Sequence, residues 1–277
     1  MQYVVIGNGV AGMTAAQTLR AGNPNAEITV YTNELQTGFY RRKDLARQLA
    51  NGGIHDDEIY VETADTLKQQ GIDVIYDPVL RVFARLNQVL INHSIRKQYD
   101  RLLIASGATP RLLDVPGYAL LGVHQAWSYE DFTFIDNWLP ELQQHGAVVV
   151  GGGVLGMDMA YALNARGVPT TLLVREAALG LHWLSLNQAE EAAAKLDGAG
   201  VSVRLNTTVS AFESEDGRIL DQIALESGER LPARLVICCI GINPNTEYLE
   251  DSGIEIDEVS QAIPVNEAFQ TNFSNIY

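Results

Sequence analysis

Short apolar runs recur along this chain, each ending at a glycine and followed by small and apolar residues at helical spacing. Tyr3-Val4-Val5-Ile6 leads into Gly7, and Ala147-Val148-Val149-Val150 leads into Gly151. Unbroken aliphatic runs of this length predict strands buried on both faces, as in a parallel sheet. The pattern predicts strand 2–6, helix 10–21 and strand 27–32, a βαβ unit. It predicts the same unit again as strand 147–151, helix 154–166 and strand 170–175. Between the two lie helices over 42–50 and 56–70 and a strand over 72–76. Strands 79–84 and 89–91 are joined by a turn at 86–88, strand 101–105 follows, and a helix covers 130–142. Beyond the second unit come helix 187–197, strand 201–205, an antiparallel excursion over 208–232 and strand 234–240. Asp216-Gly217 and Ser227-Gly228 supply the turn signals of that excursion. The remainder is polar and loop-like and closes on Asn275-Ile276-Tyr277, which reads as the beginning of a buried strand. A strand cut at its start is not an expected domain boundary.

Alternating strands and helices of this kind imply an α/β fold. At 277 residues the chain can build two modest cores. The Pro/Gly-containing stretch with Pro110 and Pro116-Gly117 is where the chain is expected to cross between them. Hydrophobic residues make up 47%, yet no run approaches the length of a membrane span. The N-terminus runs directly into a strand without a charged leader, so a cytoplasmic location is expected. A net charge of −15 argues against nucleic acid as a partner. Cys238 and Cys239 are adjacent in an apolar strand, where neighbouring side chains point to opposite faces, so they read as packing residues rather than a disulfide. The five histidines are scattered without metal-ligand spacing, and no metal site is expected.

The chemistry lies in the glycines. Gly7-Asn8-Gly9-Val10-Ala11-Gly12 and Gly151-Gly152-Gly153-Val154-Leu155-Gly156 both read GxGxxG between a strand and a helix. The first glycine of each permits a tight turn, the second lets a pyrophosphate approach the backbone, and the third lets helix and strand pack closely. A helix start presents unpaired N–H groups and a positive dipole end to an anion. Two such starts suit two dinucleotides, the requirement for passing electrons from one to the other. An acid on the ribose of the first dinucleotide is expected near the end of the second strand, where Asn33 and Glu34 are the candidates. Phe39–Arg47 concentrates four cations, either a solvated helix start or a group that neutralises phosphate or leans on a flavin.

Taken in order, Gly7–Gly12, Tyr-x-Arg-x-x-Leu at 40–45, Tyr99–Arg111, Val148–Ala160 and Ile240–Thr246 resemble the FAD-dependent pyridine-nucleotide reductases. The nearest branch is that of the rubredoxin, ferredoxin and nitrite reductase-type flavoproteins. The resemblance covers essentially the whole chain. It implies two three-layer Rossmann-type domains, with an FAD-binding domain (1–113 and 242–277) split around an inserted NAD(P)-binding domain (114–241). It implies that Ala105-Ser106-Gly107 is the turn where backbone approaches FAD, with Gly241 at the corresponding turn of the second domain, and that Arg42 lies near the flavin. Arg47 falls where the family usually has lysine and Asp158 where it usually has glutamate, so an Arg47–Asp158 ion pair under the flavin ring is expected.

The second fingerprint, through Gly151, Gly153, Val154, Leu155 and Gly156, is expected to take NAD(P)H. Val174 occupies the position where an NAD-specific site would carry an acid, and Arg175 and Glu176 follow. Loss of the acid beside an arginine favours a 2′-phosphate, whereas Glu176 would repel one, and the balance leans to NADPH. The family's closing Gly-Asp step is absent after Thr271–Tyr277, and no cysteine occurs in 36–45, which disfavours the cysteine-dependent oxidases. The expected activity is hydride transfer from NAD(P)H to FAD and electron delivery to a separate acceptor. That acceptor is a small electron-carrier protein or a reductase partner domain; no membrane partner is expected, and a homodimer is compatible. The alternative is a non-catalytic dinucleotide-binding or sensor module without firmly held flavin.

Overall fold

A computed structural model describes residues 1–92, 94–181 and 183–277. The chain divides into two compact units. The first comprises Met1–Arg41, Asp56–Thr109 and Asn243–Tyr277, the second Arg42–His55 and Pro110–Ile242.

In the first unit, strands Gln2–Ile6, Glu27–Thr32, Ile72–Tyr76 and Arg101–Ile104 form a parallel sheet with Gln2–Ile6 next to the edge strand Arg101–Ile104. Side chains alternate across it. Val5, Ile28 and Val30 pack beneath helix Val10–Gly22 with Met13 and Ala16. Val4, Ile6, Tyr31 and Leu102 face the other way, onto Val79, Val82, Val89 and Ile91 of an antiparallel layer. That alternation gives three layers from one strand pattern. The antiparallel layer has a third strand, Ile95–Gln98, that hydrophobic pattern did not predict; all four of its residues are exposed. Ile276 bridges Leu102 in parallel, and Ile104 N–H donates to the Tyr277 carbonyl, so the closing residues pair with this edge through an isolated bridge.

One expected helix is broken. The stretch 56–70 forms helix Asp56–Ile59, strand Tyr60–Glu62 and helix Ala64–Gln69. Strand Tyr60–Glu62 pairs with Phe39–Tyr40, and Thr63 then caps the second helix through the Thr66 N–H. A distant strand partner and a cap override helical spacing here.

The second unit repeats the design. Strands Val123–His124, Val236–Cys238, Ala147–Val150, Thr170–Leu173 and Ser202–Arg204 form a parallel sheet in that order. Val149, Leu172 and Ile237 are fully buried, as are Met159, Ala160 and Leu163 on helix Val154–Ala165, which contacts these strands. Val148, Val150, Leu173 and Val236 pack instead on Val209, Phe212, Ile223 and Leu225 of a three-stranded antiparallel layer. Residues 42–55, left with the first domain on sequence grounds, group with this unit. Leu45, Ala46 and Leu49 of the short helix Leu45–Ala50 are buried, and that helix packs on Val154–Ala165 and Tyr129–His145.

Candidate functional site

In the first unit the chain turns sharply at Gly7, whose φ of +104° is a left-handed conformation that glycine alone adopts without strain. Its N–H donates to the Tyr31 carbonyl at 2.8 Å, and a Cβ there would stand 2.2 Å from the Ala105 carbonyl oxygen. A Cβ on Gly12 would meet the Gly7 carbonyl oxygen at 2.0 Å. Gly9, at the head of helix Val10–Gly22, is different. A Cβ there would touch nothing within 4 Å, so its glycine is required by no protein neighbour. The space before it, faced by the first-turn N–H groups, with Val10 exposed and Ala11 next to it, fits an anionic pyrophosphate.

A cavity of about 330 Å³ lies beside this turn, lined by Gly7, Tyr31, Asn33, Val79, Ser106 and Tyr248 among others. The predicted residues Gly7, Asn33 and Ser106 thus converge. Burial, with Asp77 and Glu27 adding to it at Tyr31, raises the phenols of Tyr31 and Tyr248 to about 12, so both are neutral at physiological pH. Ser106 donates to the Asn245 carbonyl at 2.8 Å, and the Asn245 side chain donates back to the Ser106 carbonyl at 2.8 Å, fixing the Ala105-Ser106-Gly107 turn. Gly107 itself has φ +67°. Of the two acid-position candidates, Asn33 is exposed, while the Glu34 carboxylate accepts from the Tyr40 hydroxyl.

Asn8 is a residue that sequence reasoning passed over as a variable position. It is buried. Its amide donates to the Gln36 carbonyl at 2.8 Å, and its carbonyl oxygen accepts from Thr32 at 2.8 Å. It ties the glycine turn to the loop after the second strand, so Thr32 is spent on structure. Only the residue type, a short amide inside the fingerprint, could have signalled this.

The second unit reproduces the turn almost bond for bond. Gly151 has φ +120°, and its N–H donates to the Leu173 carbonyl at 2.9 Å. A Cβ would stand 2.3 Å from the Cys239 carbonyl oxygen, and one on Gly156 would stand 1.9 Å from the Gly151 carbonyl oxygen. Gly153 again heads its helix with nothing within 4 Å of a would-be Cβ. Val154 is exposed and Leu155 half-buried on the first turn. Gly241, φ +119°, follows Cys238-Cys239-Ile240 as Gly107 follows its own strand. Both thiols are unbonded, and burial pushes Cys238 up to about 12 and Cys239 higher still, so neither supplies a thiolate at neutral pH.

Beyond the second strand of this unit, Val174 is fully buried and packs over Gly152. Arg175 is exposed, and its guanidinium donates to Glu176 at 2.8 Å. Arg42 lies in this unit, with its guanidinium 4.8 Å over the Trp127 ring and donating to the Trp127 carbonyl at 2.8 Å. The expected Arg47–Asp158 ion pair is not formed. Arg47 instead reaches Asp44 at 3.2 Å, three residues back on its own turn, where no span has to be crossed. Among the described residues Asp158 has no ion-pair partner, and crowding by protein raises its carboxyl above the usual range, as expected for an acid with no cation to hold its charge.

No helix among the described residues is long and apolar enough to cross a membrane, and no group of His, Cys, Asp and Glu among them could hold a metal. The family model of the pyridine nucleotide-disulphide oxidoreductases matches residues 1–277. The chain belongs to this family. It is 28% identical to an NADH oxidase of Methanocaldococcus jannaschii, covering the whole of this chain and 62% of that protein. It is 27% identical to the assimilatory nitrate reductase electron transfer subunit of Bacillus subtilis, again over the whole chain, and covers 35% of that subunit. It thus spans less than two thirds of these relatives. Its fold superposes on the reductase of a covalent putidaredoxin reductase–putidaredoxin complex with a TM-score of 0.91 and 27% identity, over 99% of this chain and 66% of the other.

Proposed function

We propose that this chain holds FAD in its first unit and NAD(P)H in its second, within a flavoprotein oxidoreductase that passes hydride from the nicotinamide to FAD and electrons on to a separate small electron carrier. The observation that carries this reading is the duplicated turn. Each unit has a glycine at the helix start whose missing Cβ leaves open space, Gly9 in one and Gly153 in the other. Membership of the family and the likeness to a nitrate reductase electron transfer subunit and to a putidaredoxin reductase support the direction of electron flow.

In the first unit Gly7, Gly9, Val10, Ala11 and Gly12 would seat the FAD pyrophosphate, with Asn33 and Glu34 toward the ribose and Ala105-Ser106-Gly107 along its path. In the second, Gly151, Gly153, Val154, Leu155 and Gly156 would seat the nicotinamide dinucleotide, with Gly241 at the turn beside it. FAD held there would supply a two-electron acceptor for hydride and a donor of single electrons to a carrier. The protein's part is to bind, orient and set charge: no side chain has to move a proton, which agrees with the two inert thiols. Arg42, Arg47 and Asp158 are the charged groups that the nicotinamide-binding unit itself would contribute. Val174 in place of an acid and the neighbouring Arg175 favour a 2′-phosphate against the opposing Glu176, and the balance leans to NADPH.

The test is direct. Protein equilibrated with FAD and freed of excess should be yellow, and anaerobic NADPH should bleach it faster than NADH. Protein that takes up FAD and NADPH without bleaching would be a binding module, and protein that binds neither would overturn the assignment.

A further inference from the structure

The segment carrying the two arginines is held by a clasp that the reaction scheme does not account for. Asp136, on helix Tyr129–His145, accepts the Ile54 N–H at 2.9 Å with one carboxylate oxygen and pairs with Arg166 at 2.9 Å through the other. Arg166 caps helix Val154–Ala165, and the same Nη1 donates to the Leu49 carbonyl at 2.9 Å. That carbonyl belongs to the last turn of helix Leu45–Ala50, which leaves such groups without helical partners and welcomes a cation. Arg166 and Asp136 are 25% and 19% exposed, so the pair is shielded from solvent. The turn is shaped to receive it. Gly53 has φ +129°, and a Cβ there would stand 2.6 Å from the Asp136 carboxylate. The Arg42 end is fixed by Trp127, whose ring and carbonyl both hold the guanidinium. Three parts of one unit, the Trp127 stretch and helices Tyr129–His145 and Val154–Ala165, therefore grip the fourteen-residue segment Arg42–His55 at both ends.

We propose that Asp136 and Arg166 are positioning residues: they fix Leu49 and Ile54, and through them Arg47, on the nicotinamide-binding unit, while Trp127 holds Arg42, so that Arg47 keeps its place relative to the nicotinamide during hydride transfer. This rests on the function proposed above. A stability-only role would lower the melting temperature without touching the reduction step. The positioning role separates binding from turnover.

The first measurement needs no cofactor. In Asp136→Asn, amide hydrogen exchange over 45–55 should quicken at least tenfold while strands Ala147–Val150 and Thr170–Leu173 keep their protection. In FAD-loaded protein the same variant should slow flavin reduction at saturating NADPH at least tenfold, with the NADPH dissociation constant changed less than twofold. Combined with Arg47→Ala, Asp136→Asn should add little to the loss that Arg47→Ala causes alone. Arg166→Lys, which reaches one partner at a time, should recover part of the rate that Arg166→Gln loses; these two variants keep Asp136 on Ile54 should Asp136→Asn fail to fold. Unchanged exchange over 45–55 overturns the clasp. Quickened exchange with a reduction rate within twofold of wild type overturns the positioning role and leaves the proposed function standing. A wild-type protein whose flavin no nicotinamide reduces overturns both.

Discussion

Gly7 hangs from the Tyr31 carbonyl and Gly151 from the Leu173 carbonyl, each a short hydrogen bond to the second strand of its own sheet. Each lies under the carbonyl that follows a third strand, Ala105 in the first unit and Cys239 in the second. The backbone of the two turns is nearly interchangeable, and their surroundings are not. In the first unit the second strand ends in polar side chains that bond to one another: Thr32 to Asn8, and Glu34 to Tyr40. In the second it ends in a buried Val174 with an exposed Arg175 and Glu176 behind it. Phosphate recognition is thus a property of backbone and helix dipole that one chain can use twice, while the choice of nucleotide falls to a few side chains past the second strand.

The turns themselves are the first place to break the comparison. Gly12→Ala and Gly156→Ala each put a Cβ about one bond length inside contact with a backbone oxygen that has nowhere to move. Overpacking of this kind costs about 1–3 kcal/mol or more, and for a chain of this size each kcal/mol lowers Tm by roughly 2–4 °C. Calorimetry should show both variants destabilised by a similar amount. A loss in one unit only would mean that the two turns are not mechanical equivalents.

Gly9→Val and Gly153→Val should do the opposite, because a Cβ at either position meets nothing within 4 Å. Each is expected to keep Tm within about 2 °C, the range of an ordinary surface change. Gly9→Val should weaken FAD uptake at least tenfold with NADPH binding intact, and Gly153→Val should do the reverse. Flavin fluorescence and coenzyme titration read the two losses separately. A variant that lost both ligands would deny that each cradle has its own occupant.

What could be read from sequence follows the same divide. The glycine fingerprints and the strands before them were legible because backbone geometry there admits few residue types, and uninterrupted apolar runs such as Val148-Val149-Val150 have few other uses. Strand Ile95–Gln98 was not, because its exposed Arg96 and Lys97 carry no alternation and it is a strand only through its pairing with Gln88–Ile91. The burial of Leu45 and Leu49 was visible as an apolar pattern, but not which unit they would bury against. That depends on Asp136 and Arg166, polar residues far along the chain whose partners are largely backbone groups. The Arg47–Asp158 pair failed for a related reason: Asp44 competes for the guanidinium from one turn away.

The coenzyme choice is a finer edge of the comparison. The Arg175 guanidinium is engaged by Glu176, which also repels a 2′-phosphate. Glu176→Gln should free the cation and raise the ratio of kcat/KM for NADPH over NADH by about three- to tenfold, a change of roughly 1 kcal/mol in relative transition-state binding. The gain should shrink as salt is raised, since Arg175 is largely exposed. An unchanged ratio would place the selection elsewhere than at this pair.

The smallest expected effect sits on the helices. Thr14 and Asp158 follow the third glycine of their fingerprints by the same two positions, so one helix carries a neutral hydroxyl where the other carries an acid. Burial raises the Asp158 carboxyl, which means that the folded chain binds this proton more tightly than the unfolded chain does. Stability then falls as pH rises through that window and is recovered as pH drops through the raised pKa toward the ordinary 3.8. Asp158→Asn mimics the protonated acid, so at pH 7 it should raise stability slightly, by at most on the order of 0.5 kcal/mol for a largely solvated position, read as a small rise in Tm. The gain should vanish near pH 4, where wild-type Asp158 carries its own proton. Measuring in 0.5 M salt separates this local term from the relief of general repulsion in a chain of net charge −15, because distant exposed charges are screened there and a desolvated carboxylate is much less so. Thr14→Asp is the mirror experiment: Thr14 and Asp158 are both exposed at the same step of their helices, so a pH window confined to Asp158 would trace to the protein crowding its carboxyl. A window of equal size in both would mean that the acid's burden does not come from what surrounds Asp158.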